Sequence, residues 1–219
     1  MALAIFDLDN TLLGGDSDHL WGEFLCDQGY VDRATFRAKN DQFYADYQAG
    51  TLDITGYLEF VLASIKGRSI ADIRNWHQDF MTHYIEPLVL PRALTCVDQH
   101  RAQGDALLII TATSRFIAEP VAARYGITDL IASDAIITEG RYSGLPAPNP
   151  SFGAGKVVRL QQWLAEHPEH QGLKQYFYSD SHNDLPLLEQ VDSPIAVDPD
   201  PKLAEIARLR DWQCLSFRT

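Results

Sequence analysis

The first thirteen residues, MALAIFDLDNTLL, constrain the fold more than any other part of the chain. The apolar run Leu3 to Phe6 contains no charge, which is typical of a strand buried on both faces of a sheet. Asp7 and Asp9 follow it on alternate residues, and side chains two apart in a strand point the same way. Paired carboxylates favour a site where a cation or a proton neutralises them. The alternative is a surface turn, because Asp and Asn also favour turns.

Strand and helix patterns alternate over the rest of the chain. Further apolar strand patterns follow at 106–110, 129–132, 175–178 and 194–197, and residues 135–143 are typical of a hairpin around Gly140. Between the first two strands, from Asp18 to about Leu90, apolar residues recur at helical spacing and predict a bundle of four helices.

This order predicts an α/β fold: a doubly wound, mostly parallel sheet with an inserted α-helical bundle. We assign residues 1–14 and 89–219 to the sheet domain and residues 15–88 to the inserted helical cap.

The unusual polar residues cluster where predicted strands end. These positions hold Asp7, Asp9, Thr111, Asp180 and Asp184. In open parallel sheets, ligands bind beyond the carboxyl ends of the strands, near the point where the strand order reverses. The sequence therefore predicts that these side chains form one site, with the helical insertion above it.

Composition excludes several classes of function. A formal net charge of −12 opposes nonspecific binding to nucleic acid or to an anionic membrane. Cys26, Cys96 and Cys214 are widely spaced without a CxxC pattern, which favours reduced thiols over a disulfide framework or a zinc site. The chain shows no signal-peptide pattern at its start and no run near 18 apolar residues, so we predict a cytoplasmic protein.

Four separated signals, in this order, resemble the haloacid dehalogenase superfamily of phosphatases, in the branch that includes phosphoserine phosphatase. DLDNTLL at 7–13 is similar to its first motif, and Thr111 at the end of ALLIIT is similar to its second. Lys156 in GKVVRL resembles the third motif, and Asp180 and Asp184 in SDSHNDLPLL resemble the fourth. The resemblance implies a Rossmann-like core and a small phosphorylated metabolite as substrate.

The resemblance also implies a role for each motif residue. Asp7 is expected to be the nucleophile that forms an aspartyl-phosphate, and Asp9 the general acid for the leaving alcohol and then the base for water. Mg²⁺ is expected on the Asp7 carboxylate, the Asp9 backbone carbonyl and Asp180, with Asp184 better placed to orient a ligand of the metal. Lys156 is expected to neutralise the nucleophile and the transferring phosphoryl group.

Phosphate binding is less sharply specified. Thr111 and Ala112, at the end of the second strand pattern, are the predicted phosphate-binding residues. Thr113 is an alternative to Thr111 or could share its role, and Arg115 could also reach the phosphate.

Substrate choice is expected to lie in the cap. By the resemblance, Asp16, nine residues after Asp7, would meet a substrate ammonium group. Glu59 stands where phosphoserine phosphatases carry an arginine for the substrate carboxylate, and neither Arg37 nor Arg68 falls at the matching position. A carboxylate there would repel a substrate carboxylate. We therefore predict an amine-bearing phosphate monoester without a carboxylate, with histidinol phosphate as the named candidate.

Several alternatives stay open at this stage. The chain could instead be a phosphoserine phosphatase, a phosphomutase or a dehalogenase of the same superfamily, or a binding protein that keeps the fold. Asp9 argues against a dehalogenase, which has no use for a second aspartate. Trp21, His19 and Glu23 could line the pocket or belong to the bundle, and His182 has no assigned role. The sequence carries no prediction of oligomeric state.

Overall fold

The computed structural model describes residues 1–218. The strands are β1 (Leu3–Phe6), β2 (Ala106–Ser114), β3 (Asp129–Ser133), β4 (Ala135–Thr138), β5 (Arg141–Pro146), β6 (Gln175–Ser179), β7 (Ser193–Val197) and β8 (Gln213–Leu215). The α-helices are α1 (Ser17–Asp27), α2 (Arg33–Ala49), α3 (Ile54–Ala63), α4 (Ile70–Phe80), α5 (Pro91–Ala102), α6 (Arg115–Arg124), α7 (Ala154–Glu166), α8 (Leu185–Leu188) and α9 (Pro201–Leu209).

Six strands form one parallel sheet in the order β3-β2-β1-β6-β7-β8. The chain runs from β1 to one edge through β2 and β3, and returns to the other side of β1 with β6. The strand order therefore reverses beside β1, where ligands bind in folds of this type. Strands β4 and β5 form a separate antiparallel hairpin. The predicted doubly wound α/β fold is confirmed.

Strand β1 lies in the middle of the sheet and is buried on both faces. Ala4 and Phe6 belong to the apolar cluster on one side, whereas Leu3 and Ile5 belong to the cluster on the other. This alternation follows from the two-residue period of a strand, and both faces are apolar because helices cover both sides of a parallel sheet.

The helical insertion leaves the sheet after β1 and returns before β2. Its two connections lie side by side: the Gly14 amide donates to the Leu88 carbonyl at 2.8 Å, and Leu13 pairs with Val89 in an antiparallel bridge. The four predicted helices are present as α1 to α4. The division of the chain into a core and a cap stays a prediction.

Trp21, for which two roles were open, belongs to the core of the insertion. Its side chain is 1% exposed. Its ring centroid lies 5.1 Å from that of Phe24, 5.0 Å from that of Phe80 and 5.4 Å from that of Phe116. Because Phe116 lies on α6, this aromatic cluster ties the insertion to a helix that covers the sheet.

We expect Trp21→Ala to lower the free energy of unfolding by about 3–5 kcal/mol, because it removes buried apolar surface and leaves a cavity. Urea unfolding followed by circular dichroism measures this change. Leu209→Ala is the control, since Leu209 is 67% exposed and its loss should cost less than about 0.5 kcal/mol. A loss below about 1 kcal/mol for Trp21→Ala would contradict a core role.

Candidate active site

A tight turn directly after β1 carries the first two carboxylates. Asp7 is extended, and its amide donates to the Tyr178 carbonyl on β6 at 2.9 Å. The chain then turns over Leu8–Leu12, where Asn10 has a φ of 57°. The strand ends at Phe6, so strand alternation is the wrong reason for placing Asp7 beside Asp9. The turn brings both side chains into the lining of one cleft.

A buried ion triad forms the floor of this cleft. The Lys156 Nζ lies 2.8 Å from Asp7 Oδ1 and 2.7 Å from Asp184 Oδ1. Asp184 Oδ2 also accepts hydrogen bonds from Lys156 at 2.8 Å and from the Ser179 hydroxyl at 2.7 Å. Both Asp184 oxygens are thus engaged by the protein, which suits a supporting role better than direct binding of a metal.

The Asp9 carboxylate is held by two donors from opposite sides of the cleft. The Ser17 amide, at the start of α1, donates to Asp9 Oδ1 at 2.7 Å, and the Thr113 hydroxyl donates to Oδ2. One donor comes from the insertion and the other from β2. The orientation of Asp9 therefore depends on how the insertion sits on the sheet.

Asp180 approaches the same floor from the end of β6. Its Oδ1 accepts a hydrogen bond from the Thr11 hydroxyl at 3.1 Å, and its amide donates back to Thr11 Oγ1 at 3.0 Å. Burial raises the pKa of Asp180 well above its usual range, and the charges of Asp7 and Asp184 raise it further.

The floor of the cleft holds more carboxylates than its lysine can neutralise. Burial raises the pKa of Asp7 to about 7, although Lys156 opposes the shift. Burial raises the pKa of Asp9 to about 7 as well, and the charge of Asp16 adds to this rise. For Lys156, burial favours a lower pKa, but the carboxylates of Asp184 and Asp7 outweigh it and raise the pKa. The site can therefore hold a transferable proton near neutral pH.

The predicted phosphate-binding residues lie beside this floor. Thr111, Ala112 and Thr113 all line the cleft at the end of β2. The Thr111 hydroxyl oxygen accepts a hydrogen bond from the Thr113 amide at 3.2 Å, while the Thr113 hydroxyl is committed to Asp9. Of the two hydroxyls, that of Thr111 is the one free to donate to another group.

Two predicted binding residues point elsewhere. Arg115 donates to the Asp134 carboxylate and to the Leu130 carbonyl, outside the cleft. Glu59 is exposed on α3 and does not line the cleft either, because the neighbouring residues Tyr57 and Leu58 take the buried face of that helix. Neither Arg115 nor Glu59 lines the cleft in this structure, so a contact of either with the substrate stays a prediction that the geometry does not favour.

Three further candidates from the sequence have partners outside the cleft or beside it. Arg37 pairs with Glu23, and Arg68 lies over the Trp76 ring, so neither reaches the cleft. His182 has its Nδ1 2.8 Å from Asp200 Oδ2, and its side chain is largely buried.

The cleft encloses about 620 Å³, including the solvent at its mouth, and the insertion contributes much of its wall. Asp16 lines the cleft and caps α1 by accepting a hydrogen bond from the His19 amide at 2.8 Å. Sequence reasoning missed several wall residues: Asp18, Asn40, Phe43, Tyr44, Tyr47, Leu52, Ile54, Tyr57 and Phe152. For Asp18 a signal existed, because a helix capped at Asp16 places Asp18 in its first turn.

Comparisons with known proteins agree with this geometry. Residues 4–189 match the sequence model of the haloacid dehalogenase-like hydrolase family. The chain belongs to this family. The match confirms the resemblance found in the four motifs.

A histidinol-phosphatase of Neisseria meningitidis is 45% identical over 219 residues, which cover 99% of each chain. A solved Bordetella pertussis protein of unknown function is 42% identical, with a TM-score of 0.90 over 98% of each chain. A phosphoserine phosphatase solved as a phospho-aspartyl intermediate analogue has a TM-score of 0.70, covering 99% of this chain and 93% of its own. At 14% identity that likeness concerns the fold. The predicted phosphatase class is confirmed.

In residues 1–218, none of the helices combines the length and the apolar character needed to cross a membrane.

We expect Lys156→Met to destabilise the fold by about 3–5 kcal/mol at pH 8, because it leaves the buried Asp7 and Asp184 carboxylates without their cation. The loss should be smaller at pH 5.5, because burial raises the pKa of Asp7 to about 7 and this carboxylate can take up a proton instead. Urea unfolding at both pH values measures the difference. Lys174→Met, which removes an exposed lysine, is the control. An equal loss at both pH values would contradict the electrostatic explanation.

Proposed function

We propose that this phosphatase uses Mg²⁺ and an aspartyl-phosphate intermediate to hydrolyse a small amine-bearing phosphate monoester, histidinol phosphate. One observation carries the choice of substrate. The wall of the cleft presents the carboxylates of Asp16 and Asp18, while Lys156 is the only lysine or arginine that lines it within residues 1–218. Lys156 is already bound by Asp7 and Asp184. The cleft therefore provides carboxylates that can bind a cationic group of a substrate, but no free cation that can bind a substrate carboxylate.

In the proposed mechanism, an Asp7 carboxylate oxygen attacks phosphorus. The new O–P bond forms as the bond from phosphorus to the ester oxygen breaks, and Asp9 transfers its proton to that oxygen. The product alcohol leaves. Asp9 then takes a proton from a water molecule, whose oxygen attacks phosphorus and releases phosphate from Asp7.

The environment of Asp9 supports its role as the proton donor. A general acid works best when its pKa lies near the working pH. Burial raises the pKa of Asp9 to about 7, and the hydrogen bonds from Ser17 and Thr113 hold the carboxyl group in one orientation. Lys156 beside Asp7 keeps the nucleophile close to a positive charge as the phosphoryl group arrives.

The donor set fits Mg²⁺. The carboxylates of Asp7 and Asp180 and the Asp9 backbone carbonyl supply only oxygen ligands, which a hard divalent cation prefers. Burial raises the pKa of Asp180, and the charges of Asp7 and Asp184 raise it further, so a cation beside this carboxylate would be favoured. Asp184 would support the site through Lys156 and Ser179. When bound, Mg²⁺ would offset the charge on the phosphoryl oxygens.

Another group of potential ligands, His19, Glu23 and Asp41, suits this role less well. Their donor atoms lie within 4.8 Å of one another. However, Glu23 is already paired with Arg37, and Asp41 is exposed.

The relatives support the choice of histidinol phosphate. The Neisseria meningitidis protein, which is 45% identical, is a histidinol-phosphatase. Histidinol phosphate carries an amine and an imidazole and lacks a carboxylate, as the charges of the cleft require. The sequence argument from Glu59 reached the same substrate, but Glu59 lies outside the cleft and no longer supports it.

Phosphate release from histidinol phosphate, phosphoserine and a phosphorylated sugar, each with Mg²⁺, tests the proposal. We expect kcat/KM to be highest for histidinol phosphate and lower by about tenfold or more for phosphoserine, whose carboxylate would meet uncompensated carboxylates. Asp7→Asn should abolish turnover of all substrates because an amide is a poor nucleophile.

The matched control is Asp46→Asn, which changes a partly exposed carboxylate of α2 outside the cleft. A preference for phosphoserine would overturn the proposed substrate. Retained activity of Asp7→Asn would overturn covalent catalysis by Asp7. An isomeric sugar phosphate as the product would indicate a phosphomutase.

We expect Mg²⁺ to bind about tenfold more weakly at pH 6 than at pH 8, because binding must displace a proton from Asp7. The pKa of Asp7 is raised from 3.8 to about 7. Without metal, Asp7 therefore keeps its proton in the folded protein between pH 3.8 and about pH 7, where the same group in the unfolded chain has lost it. The stability that this bound proton contributes falls as the pH rises.

Melting temperatures with and without Mg²⁺ at the two pH values measure the effect. Mg²⁺ should raise the melting temperature more at pH 8. Asp180→Asn should reduce the Mg²⁺ response, whereas Asp46→Asn should keep it. Equal responses at pH 6 and pH 8 would contradict proton displacement from Asp7.

A further inference from the structure

Two side chains in the wall of the cleft have oxygens without a hydrogen-bond partner. Asp18 on α1 is 6% exposed and Asn40 on α2 is 1% exposed. In residues 1–218, Asp18 Oδ1 and Asn40 Oδ1 are both buried and accept no hydrogen bond. Leaving a buried acceptor unpaired costs free energy, and charged groups cost most. Both residues line the cleft, so a bound molecule could supply the missing donors.

The position of the Asn40 carboxamide is set by its surroundings. Its Nδ2 donates to the His19 carbonyl at 2.9 Å and lies 3.1 Å from His19 Nδ1. Gly22 packs directly against it, since a Cβ at this glycine would lie 2.4 Å from Nδ2. The amide nitrogen is thus committed to α1, and the oxygen is left as an acceptor.

Asp18 lies among other negative charges. Burial raises its pKa well above the usual range, and the charges of Asp16 and Asp9 raise it further. The Ser114 amide and the Tyr57 hydroxyl only partly offset this rise. Lys156, the one lysine or arginine lining the cleft within the described chain, is already bound by two carboxylates. The protein itself therefore provides no cation for Asp18.

The carboxylates of Asp16 and Asp18 differ in their hydrogen-bond partners. Asp16 Oδ1 accepts the His19 amide as a helix cap, whereas Asp18 Oδ1 has no partner. Aromatic rings line the same cleft, among them Tyr44, Tyr47 and Tyr57. Aromatic faces pack well against flat rings and attract cations. Acceptors beside such faces suit a planar heterocycle with N–H groups.

We propose that Asp18 and Asn40 form an acceptor site for the two N–H groups of the substrate's protonated imidazole ring, separate from the contact of Asp16 with the substrate amine. This inference rests on the proposed function and assigns specificity for the ring to two residues of the insertion. Asp18 and Asn40 take no part in the chemical steps.

The isosteric variant Asp18→Asn tests the site with three phosphate esters. Histidinol phosphate has an amine and an imidazole, 2-aminoethyl phosphate has only the amine, and p-nitrophenyl phosphate has neither. We expect Asp18→Asn to lower kcat/KM for histidinol phosphate by about tenfold or more, mainly through KM, because it weakens a hydrogen bond to a charged acceptor. For the other two esters, kcat/KM should stay within about twofold. Asp46→Asn is the control and should leave all three values unchanged.

The thermal stability of the Asp18→Asn variant shows whether Asp18 recognises the substrate or supports the fold. Because Asp18 carries an unpartnered buried oxygen, Asp18→Asn should melt at or above the wild-type temperature when no ligand is present. Equal losses on all three esters, or a variant that melts lower or fails to fold, would overturn the proposal. An unchanged kcat/KM for histidinol phosphate would also overturn it.

Binding of histidinol, the dephosphorylated product, separates this proposal from the proposed function. Calorimetry on the intact protein should detect histidinol binding to wild type and to Asp46→Asn, and weaker binding to Asp18→Asn. If wild type prefers phosphoserine in turnover, the proposed substrate fails. If histidinol binds wild type and Asp18→Asn equally, or does not bind wild type, the imidazole site fails whatever the turnover preference is.

Discussion

The buried contact of Lys156 with Asp7 and Asp184 is the interaction on which the rest of the site depends. A buried charge is tolerated only when partners surround it, so the triad holds together elements that are far apart in sequence. Helix α7 delivers the lysine, β1 delivers the nucleophile candidate, and the segment after β6 delivers Asp184. Packing at Gly155 is equally tight, since a Cβ there would lie 2.2 Å from the Pro150 carbonyl oxygen. The lysine therefore has little freedom to move.

The carboxylates of the cleft outnumber its cations. One lysine lines the cleft together with the carboxylates of Asp7, Asp9, Asp16, Asp18 and Asp184, and Asp180 lies near enough for the charges of Asp7 and Asp184 to raise its pKa. Such an arrangement costs stability in the free protein, and the raised pKa values of Asp7, Asp9 and Asp16 express that cost. A divalent cation and an amine-bearing substrate would each relieve it. Stability given up in the free state would thus favour binding of the ligands that the proposed reaction needs.

The insertion contacts segments that follow the carboxyl ends of several strands. The Ser17 amide orients Asp9, while the Asn183 side chain donates to the Tyr47 carbonyl at 3.2 Å and Lys202 donates to the Ala49 carbonyl at 2.9 Å. These contacts hold helices α1 and α2 over the floor of the cleft, where we predict phosphate to bind.

The sequence by itself determined the parallel sheet, the inserted helices and the motif residues, because parallel strands bring their carboxyl ends to one edge. The resemblance to the phosphatase family also pointed to Asp16, through its position nine residues after Asp7. Only the tertiary structure decided which way the remaining side chains face. Arg115 turns to Asp134, and Glu59 lies on the exposed face of α3, whereas Asn40 enters the wall of the cleft. These choices depend on helix rotation and on partners distant in sequence, which no local pattern encodes.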